Sequence, residues 1–404
     1  MADGLRPIVV IPTGGGKTVC AASIIERELK RTPSARIAFT VPRRELIEQT
    51  CRKLSDWGVD HGVIWAQDYR RLDYRKQVQV CSVQTLVNRL DLDLGFTHIM
   101  PDECHHMPAE TWKVIAAAFP GAHTCGFTAT PDGRADGKRL GEMFDVLIKG
   151  ATVKGLIADG FLVQPRYIVF ESHNLERFKD DAEAGQEAKI IAGNVVQEWI
   201  RHGRGRPSVA FCYDVAHAQD LTARFRQAGV RAECVWGDMD DAERKAILGD
   251  GERPGRIETG ETEIICSVQV VDEGFDCPPL SCAIFARHCG AIGSYVQRGG
   301  RVLRPYKGKR DCLILDHGGN FRSHGRLEDD REIELHDDPY KAMAVREAGE
   351  KGDFKRVRQI LEDVDSRAIH IGVEPLMFSS FDPGPQVITI PKPSRRPPFR
   401  KLRG

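Results

Sequence analysis

The run Pro12-Thr13-Gly14-Gly15-Gly16-Lys17-Thr18 constrains this chain more than any other feature. It follows the apolar stretch Ile8–Ile11 and opens onto a segment of helical period from Lys17 to Lys30. A strand that turns through three glycines into a helix lets successive backbone N–H groups converge on one point. The partial positive charge of the helix's first turn adds to them. Such a cradle suits the phosphates of a nucleotide: Lys17 reaches the β and γ groups, and Thr18 holds Mg²⁺ through its hydroxyl. The complete phosphate-loop string carries one more glycine where this chain has Ile11. The strand, loop, helix context is nonetheless intact, and it is the context that does the chemistry.

A loop of this kind belongs at the carboxyl edge of a parallel sheet, and the periodicity agrees. Short β-branched runs alternate with amphipathic stretches, the pattern of α/β folds with crossover helices. Strands are predicted at Pro7–Ile11, Arg36–Val41, Val78–Ser82, Phe96–Met100 and His123–Thr128, with helices at Arg43–Trp57 and Ala109–Ala118. After the Gly-rich passage Asp132–Gly137 a helical connector is predicted to run to Gly160, and the alternation then restarts. Its strands fall at Arg166–Phe170, Ser208–Cys212, Arg231–Val235, Glu263–Ser267, Cys282–Ala286 and Asp311–Leu315, and its helices at Glu187–His202, Val215–Ala228, Asp240–Leu248 and Gly293–Arg301. Two α/β units follow one another, taken as 1–160 and 161–322, with a charged and helical extension over 323–404 that includes a helix at Tyr340–Asp363.

The apolar run Phe96–Pro101 ends in Asp102-Glu103. Phosphoryl transfer needs one carboxylate to orient the Mg²⁺ shell and a second to position or deprotonate the attacking water. Asp102 suits the first role, through water, and Glu103 the second. Pro101 is out of place in a central strand because it removes a ladder donor. Arg298, Arg301 and Arg304 lie three apart at the end of a helix, where planar, permanently charged heads can meet a phosphate from one side.

These blocks resemble superfamily 2 helicases, and within them the DExH-type, DNA-repair-helicase-like enzymes of bacteria and phages. The resemblance covers about residues 8 to 320. It rests on PTGGGKT at 12–18, TVPRRELIEQT at 40–50, SVQTL at 82–86, DECHH at 102–106, FTATP at 127–131, VAFCYDVAHAQDL at 209–221, SVQVVDEGFDCP at 267–278 and QRGGRVLRP at 297–305. It implies two tandem RecA-like P-loop domains with ATP in the cleft between them, Mg²⁺ as its companion, and nucleic acid, DNA before RNA, as the track. It further implies that Gly14, Gly15, Gly16, Lys17 and Thr18 bind the phosphates. Asp276 would bond the ribose, with Gly274 allowing close approach beside it. Thr128 and Thr130 would couple nucleotide state to closure, with His106 as their contact across the cleft. Gln297, Arg301 and Arg304 would form the second domain's catalytic edge. The strand would lie on Pro42, Arg43, Arg44, Gln84 and Thr85, with Tyr213, Asp214 and Ser267 to Gln269 as weaker candidates. A double-strand translocase that does not separate strands is the alternative activity.

Composition bears on what the resemblance leaves open. Lys plus Arg equals Asp plus Glu at 58 each, so the whole chain carries no cationic signal, and a strand held by polar and backbone groups fits neutrality better than a basic stripe. The local excess is Pro391–Gly404, with six basic residues among four prolines and no acid, a tail suited to solvent or to phosphates. Twelve cysteines without a CxxC pair read as core residues of a reducing compartment, the cytoplasm of a bacterium or of a phage-infected cell. Cys104-His105-His106 lacks a second ligand pair at zinc spacing. No apolar run is long enough to span a bilayer. The family's upstream adenine-reading element is matched only at Gly4-Leu5-Arg6-Pro7, which leaves base selectivity open. The extension is a candidate surface for a protein partner.

Overall fold

The computed structural model describes residues 5–331 apart from 43, 69, 108, 132–139, 171–194, 250–252 and 273–274, together with 333, 335 and 369–371. The predicted Gly-rich passage, the helix at Tyr340–Asp363 and the basic tail therefore lie outside the described residues, and of the helix at Glu187–His202 the part over 195–202 is described.

The strands form two all-parallel assemblies. In the first, 61–64, 78–82, 37–41, 98–101 and 123–124 pair in that order, and 126–128, 7–10, 146–149 and 369–371 pair in a second set. The two sets share the segment 123–128, where the Cys125 amide donates to Ile99 O at 3.1 Å. In the second assembly six strands run in the order 232–236, 264–268, 208–211, 282–285, 311–316, 164–169. Helices cover both faces, so strand residues alternate between two cores and are buried on either side. Ile8 and Val10 enter one cluster, with Trp112 and Phe144, while Val9 and Ile11 enter the other, with Phe39 and Phe127. In the second assembly Val209 and Phe211 face one core and Ala210 and Cys212 the other.

Three departures from the sequence reading matter. The connector before Gly160 contains a strand, Val146–Lys149, beside the phosphate-loop strand, and only then a helix, Val153–Ala158. Arg6 clamps the start of that pair, its guanidinium on both carboxylate oxygens of Asp145 at 3.0 and 2.7 Å. It thus stands at the edge of the sheet opposite the phosphate loop. Pro101 is tolerated because pairing with 123–124 stops at Ile99, so the donor it lacks has no ladder partner to serve. The segment after 320 also returns to the first domain. Leu327 is buried in the second domain's core, whereas Leu335 is buried in the first's, and Lys149 Nζ donates to Arg331 O at 3.3 Å.

Candidate active site

Strand 7–10 hands over to the loop at Ile11, whose amide donates to Thr128 O at 3.0 Å. The loop closes through Gly15 N on Pro12 O at 2.8 Å, and Gly14 and Gly16 stand at φ 81° and 94°, a region that side chains make costly. The helix has no acid in its first turn, which keeps the positive end of its dipole for an anion. Ile11 is a wedge beneath the loop: a Cβ added at Gly15 would stand 2.8 Å from one of its methyls, and one at Gly150 would stand 2.7 Å from its Cγ1. A branched side chain here fills core space, while the glycines that approach phosphate lie further along.

Asp102 leaves its strand with its amide on Thr40 O at 2.8 Å, and its carboxylate accepts from Glu103 N at 3.0 Å. Burial pushes the Asp102 pKa above the usual carboxylate range; a cation nearby relieves that cost. Glu103 takes φ 44°, rare for a non-glycine residue and typical of strain held at a functional turn. The turn aims its carboxylate at Lys17, and the two ions pair with both side chains nearly buried. The carboxylate of Asp102 and the hydroxyl of Thr18 on the second residue of the helix are hard oxygen donors of the kind that suits Mg²⁺, which takes few protein ligands and keeps water for the rest. Lys53 is a cation that sequence reasoning passed over. Burial lowers its pKa, and Asp276, Arg304, Asp102 and Lys17 are the charges acting on it.

The acid pair continues into a short 3-10 turn, Cys104–His106, and here one expectation is corrected. The ring that reaches the Thr128-Ala129-Thr130 stretch is that of His105, not His106. His105 is buried, with Nδ1 2.8 Å from Thr128 Oγ1. Gln297 arrives from the second domain, its amide nitrogen donating to His105 Nε2 at 3.2 Å and to Thr130 Oγ1 at 2.8 Å. With Nε2 accepting, the neutral ring carries its proton on Nδ1 and donates to Thr128. Thr128 Oγ1 also accepts from Thr130 N at 3.1 Å. His106 packs beside His105 with the rings tilted by 43° and their centres 4.0 Å apart. The signal for His105 was present, because a D-E-x-H reading counted from Asp102 ends there.

Helix Ile292–Gly300 brings the second domain against the loop. A Cβ at Gly300 would stand 2.7 Å from Thr13 Cβ, and one at Gly14 would stand 3.1 Å from Leu162 and 3.4 Å from Arg304 Cγ. Gln297 thus sits in the coupling network, not on the catalytic edge foreseen for it. The arginines are likewise not bare fingers. Arg298 is nearly buried and holds Asp272 and the Cys289 sulfur. Arg301 donates to Asp272 O at 3.1 and 2.8 Å and to Phe275 O at 3.0 Å. Arg304 donates to Phe275 O at 3.1 Å and pairs with Asp276. All three heads grip Asp272, Phe275 or Asp276; Gly274 lies outside the described residues, and Asp276 is engaged by an arginine where a ribose contact was expected.

The proposed track residues divide. Arg43 and the Arg44 side chain lie outside the described residues. Gln84 is exposed and its Nε2 donates to Pro42 O at 3.4 Å, which brings those two together. Thr85 is buried and accepts from Ala66 N at 3.3 Å, a structural use. Ser267 is buried with its hydroxyl accepting from Val271 N at 3.2 Å, whereas Gln269 is exposed at φ 62°. Asp214 caps helix Val215–Gln227 by accepting from His217 N at 2.7 Å, and Tyr213 beside it is exposed. Among the described residues no group of three or more His, Cys, Asp or Glu side chains is arranged to hold a metal, and no helix is long and apolar enough to cross a membrane.

Comparison with known proteins agrees with the two-domain parallel-sheet fold. Residues 3–133 match the family described as type III restriction enzyme, res subunit, and residues 192–306 match the helicase conserved C-terminal domain. The chain is similar to a 51.5 kDa protein of a Lactococcus phage (isolate 7-9), 29% identical over 78% of this chain and 66% of that one. It is also similar to a Schizosaccharomyces pombe protein named as the mitochondrial ATP-dependent helicase irc3, 28% identical over 83% of this chain and 56% of that one. It spans less than two thirds of either relative's length. In fold it is similar to a fragment of a type I restriction enzyme HsdR subunit from Vibrio vulnificus YJ016, with TM-score 0.60 and 21% identity over 80% of this chain and 62% of that one.

Proposed function

Because the chain belongs to superfamily 2 of the helicases, we propose that it is an ATP-hydrolysing motor that moves along or opens nucleic acid, with DNA as the track. The observation that carries this reading is the Gln297 amide, which joins the second domain to His105 and Thr130 of the first at 3.2 and 2.8 Å. A group so placed links the state of the acid turn to the position of the other domain, which is what converts hydrolysis into movement.

In this reading the Gly14–Gly16 amides and Lys17 take the phosphates, and Lys17 exchanges Glu103 for them. Glu103, released from that pair, holds and deprotonates the attacking water. Thr18 and Asp102 are the residues to hold Mg²⁺, which when bound neutralises phosphate charge. Arg301 and Arg304 turn from the 272–276 carbonyls to the γ phosphate as the cleft fills, a contribution of about 10³–10⁵ in rate. The chain's exact neutrality fits a strand held by backbone amides and polar side chains such as Gln84, beside the Pro42 carbonyl.

The test is ATP turnover with single-stranded DNA, double-stranded DNA or RNA, for the wild type, Lys17→Ala and Glu103→Gln. Stimulation by a polymer in the wild type, and loss of turnover in both variants, is expected. Absence of stimulation by all three polymers overturns the motor. A forked duplex then separates the two activities: strand displacement marks a helicase, while turnover without displacement marks a double-strand translocase.

A further inference from the structure

Two neighbouring strands of the second domain place an aromatic ring and a cation side by side where no core needs them. Strands 208–211 and 282–285 are parallel and in register, Phe211 opposite Phe285. Two residues beyond each, at the carboxyl edge where α/β sheets bind their ligands, stand Tyr213 and Arg287. The Arg287 guanidinium carbon lies 5.4 Å from the centre of the Tyr213 ring. Tyr213 is 44% exposed, among the more exposed of the large apolar residues described.

Both backbones are held still. Tyr213 N donates to His217 Nδ1 at 3.3 Å, and the helix cap follows at the next residue. Arg287 O accepts from Asn320 Nδ2 at 2.9 Å, and Asn320 Oδ1 accepts from Cys289 N at 2.6 Å. Asn320 is fixed in turn by Asp316 Oδ1 at 3.0 Å, which also accepts from Gly318 N at 3.1 Å, and both Asn320 and Asp316 are fully buried. Gly318 is required there, since a Cβ would fall 1.9 Å from Arg287 O. A satisfied buried polar network is costly to assemble and rigid once made. This one fixes the main chain of the half-buried Arg287, whose Nε donates to His288 O at 3.3 Å beside the exposed ring, which is the preorganisation a binding site needs.

We propose that Tyr213 and Arg287 form a stacking platform for one nucleobase of the bound strand, with the guanidinium holding the ring upright and meeting the adjoining phosphate. The proposal rests on the motor reading and names a contact of a different kind from its phosphate contacts. An aromatic face accepts any base, so the platform gives grip without sequence preference. It also suits a chain with no net positive charge, because stacking strengthens binding without counterion release.

The experiment is equilibrium binding of oligo-dT, of oligo-U and of an equally long abasic DNA strand by the wild type, Tyr213→Ala, Tyr213→Phe and Arg287→Ala. The wild type is expected to prefer the base-bearing strands by about tenfold. Tyr213→Ala should lose that preference while binding the abasic strand as the wild type does, Tyr213→Phe should keep it, and Arg287→Ala should weaken it. A Tyr213→Ala protein that retains the full preference overturns the platform and leaves the motor standing. A wild type that binds none of these single strands also overturns the platform, and the motor reading is then decided separately, by whether double-stranded DNA raises its ATP turnover.

Discussion

At the scale of single residues, the neutral imidazole of His105 is the hinge of the site. It sits buried between Thr128 on one nitrogen and Gln297 on the other, so its loss strands polar groups on both domains, each at a cost of about 1–3 kcal/mol. His105→Ala is therefore expected to lower polymer-stimulated ATP turnover by about tenfold or more, and His106→Ala to change it far less. A double-mutant cycle with Gln297→Ala should return an interaction energy of roughly 0.5–3 kcal/mol. Additive effects would show that the two side chains do not act through each other. The arginines carry a related lesson. Their spacing foretold a shared direction, and all three do point to one place, but that place is the group Asp272, Phe275 and Asp276. A guanidinium finds carbonyls and carboxylates wherever they lie nearest, and nearness is not written in a three-residue period.

At the scale of elements, helix Ile292–Gly300 ends in two glycines that cost it about 1 kcal/mol each against alanine. Each permits a close approach, but to different partners. A Cβ at Gly299 would meet Leu327 at 2.5 Å within the second domain's core, and a Cβ at Gly300 would meet Thr13 at 2.7 Å across the cleft. Gly299→Ala should lower the melting temperature. Gly300→Ala should leave it unchanged or raised while reducing ATP turnover roughly 10–100-fold, because it holds the domains apart at the reacting centre. Equal turnover in Gly300→Ala and wild type would remove the helix from the closing contact. Long elements with clear periods, such as Lys17–Arg31 and Val215–Gln227, were legible within a residue or two. The strands His61–Ile64 and Val146–Lys149 were not: their extended form is imposed by neighbours already in the sheet.

At the scale of the whole molecule, the chain crosses between domains twice among the described residues. The first crossing, at 150–163, includes Leu156 and Leu162, both buried in the second domain's core. The second leaves that core at Leu327, where Tyr167 Oη accepts from Leu327 N at 2.8 Å and donates to Glu328 at 2.6 Å, and enters the first domain at Leu335. The predicted extension thus begins as a strap fastened to both domains. Leu335→Ala should destabilise the protein by about 2–5 kcal/mol, read by denaturant unfolding. A change below about 0.5 kcal/mol, the range of surface substitutions, would mean the strap carries no weight.

The sequence alone determined the chemistry that short range controls: a glycine turn entering a helix, two acids at a strand end, alternating apolar runs for parallel sheets, and the order of motifs that marks the superfamily. Each depends on residues a few positions apart, so local sterics and hydrogen bonding suffice. Only the tertiary structure decided that Gln297 reaches Thr130 across 167 residues and His105 across 192, and that Tyr213 meets Arg287. Such pairs are set by strand register and by how two folded cores meet, and no local pattern encodes that.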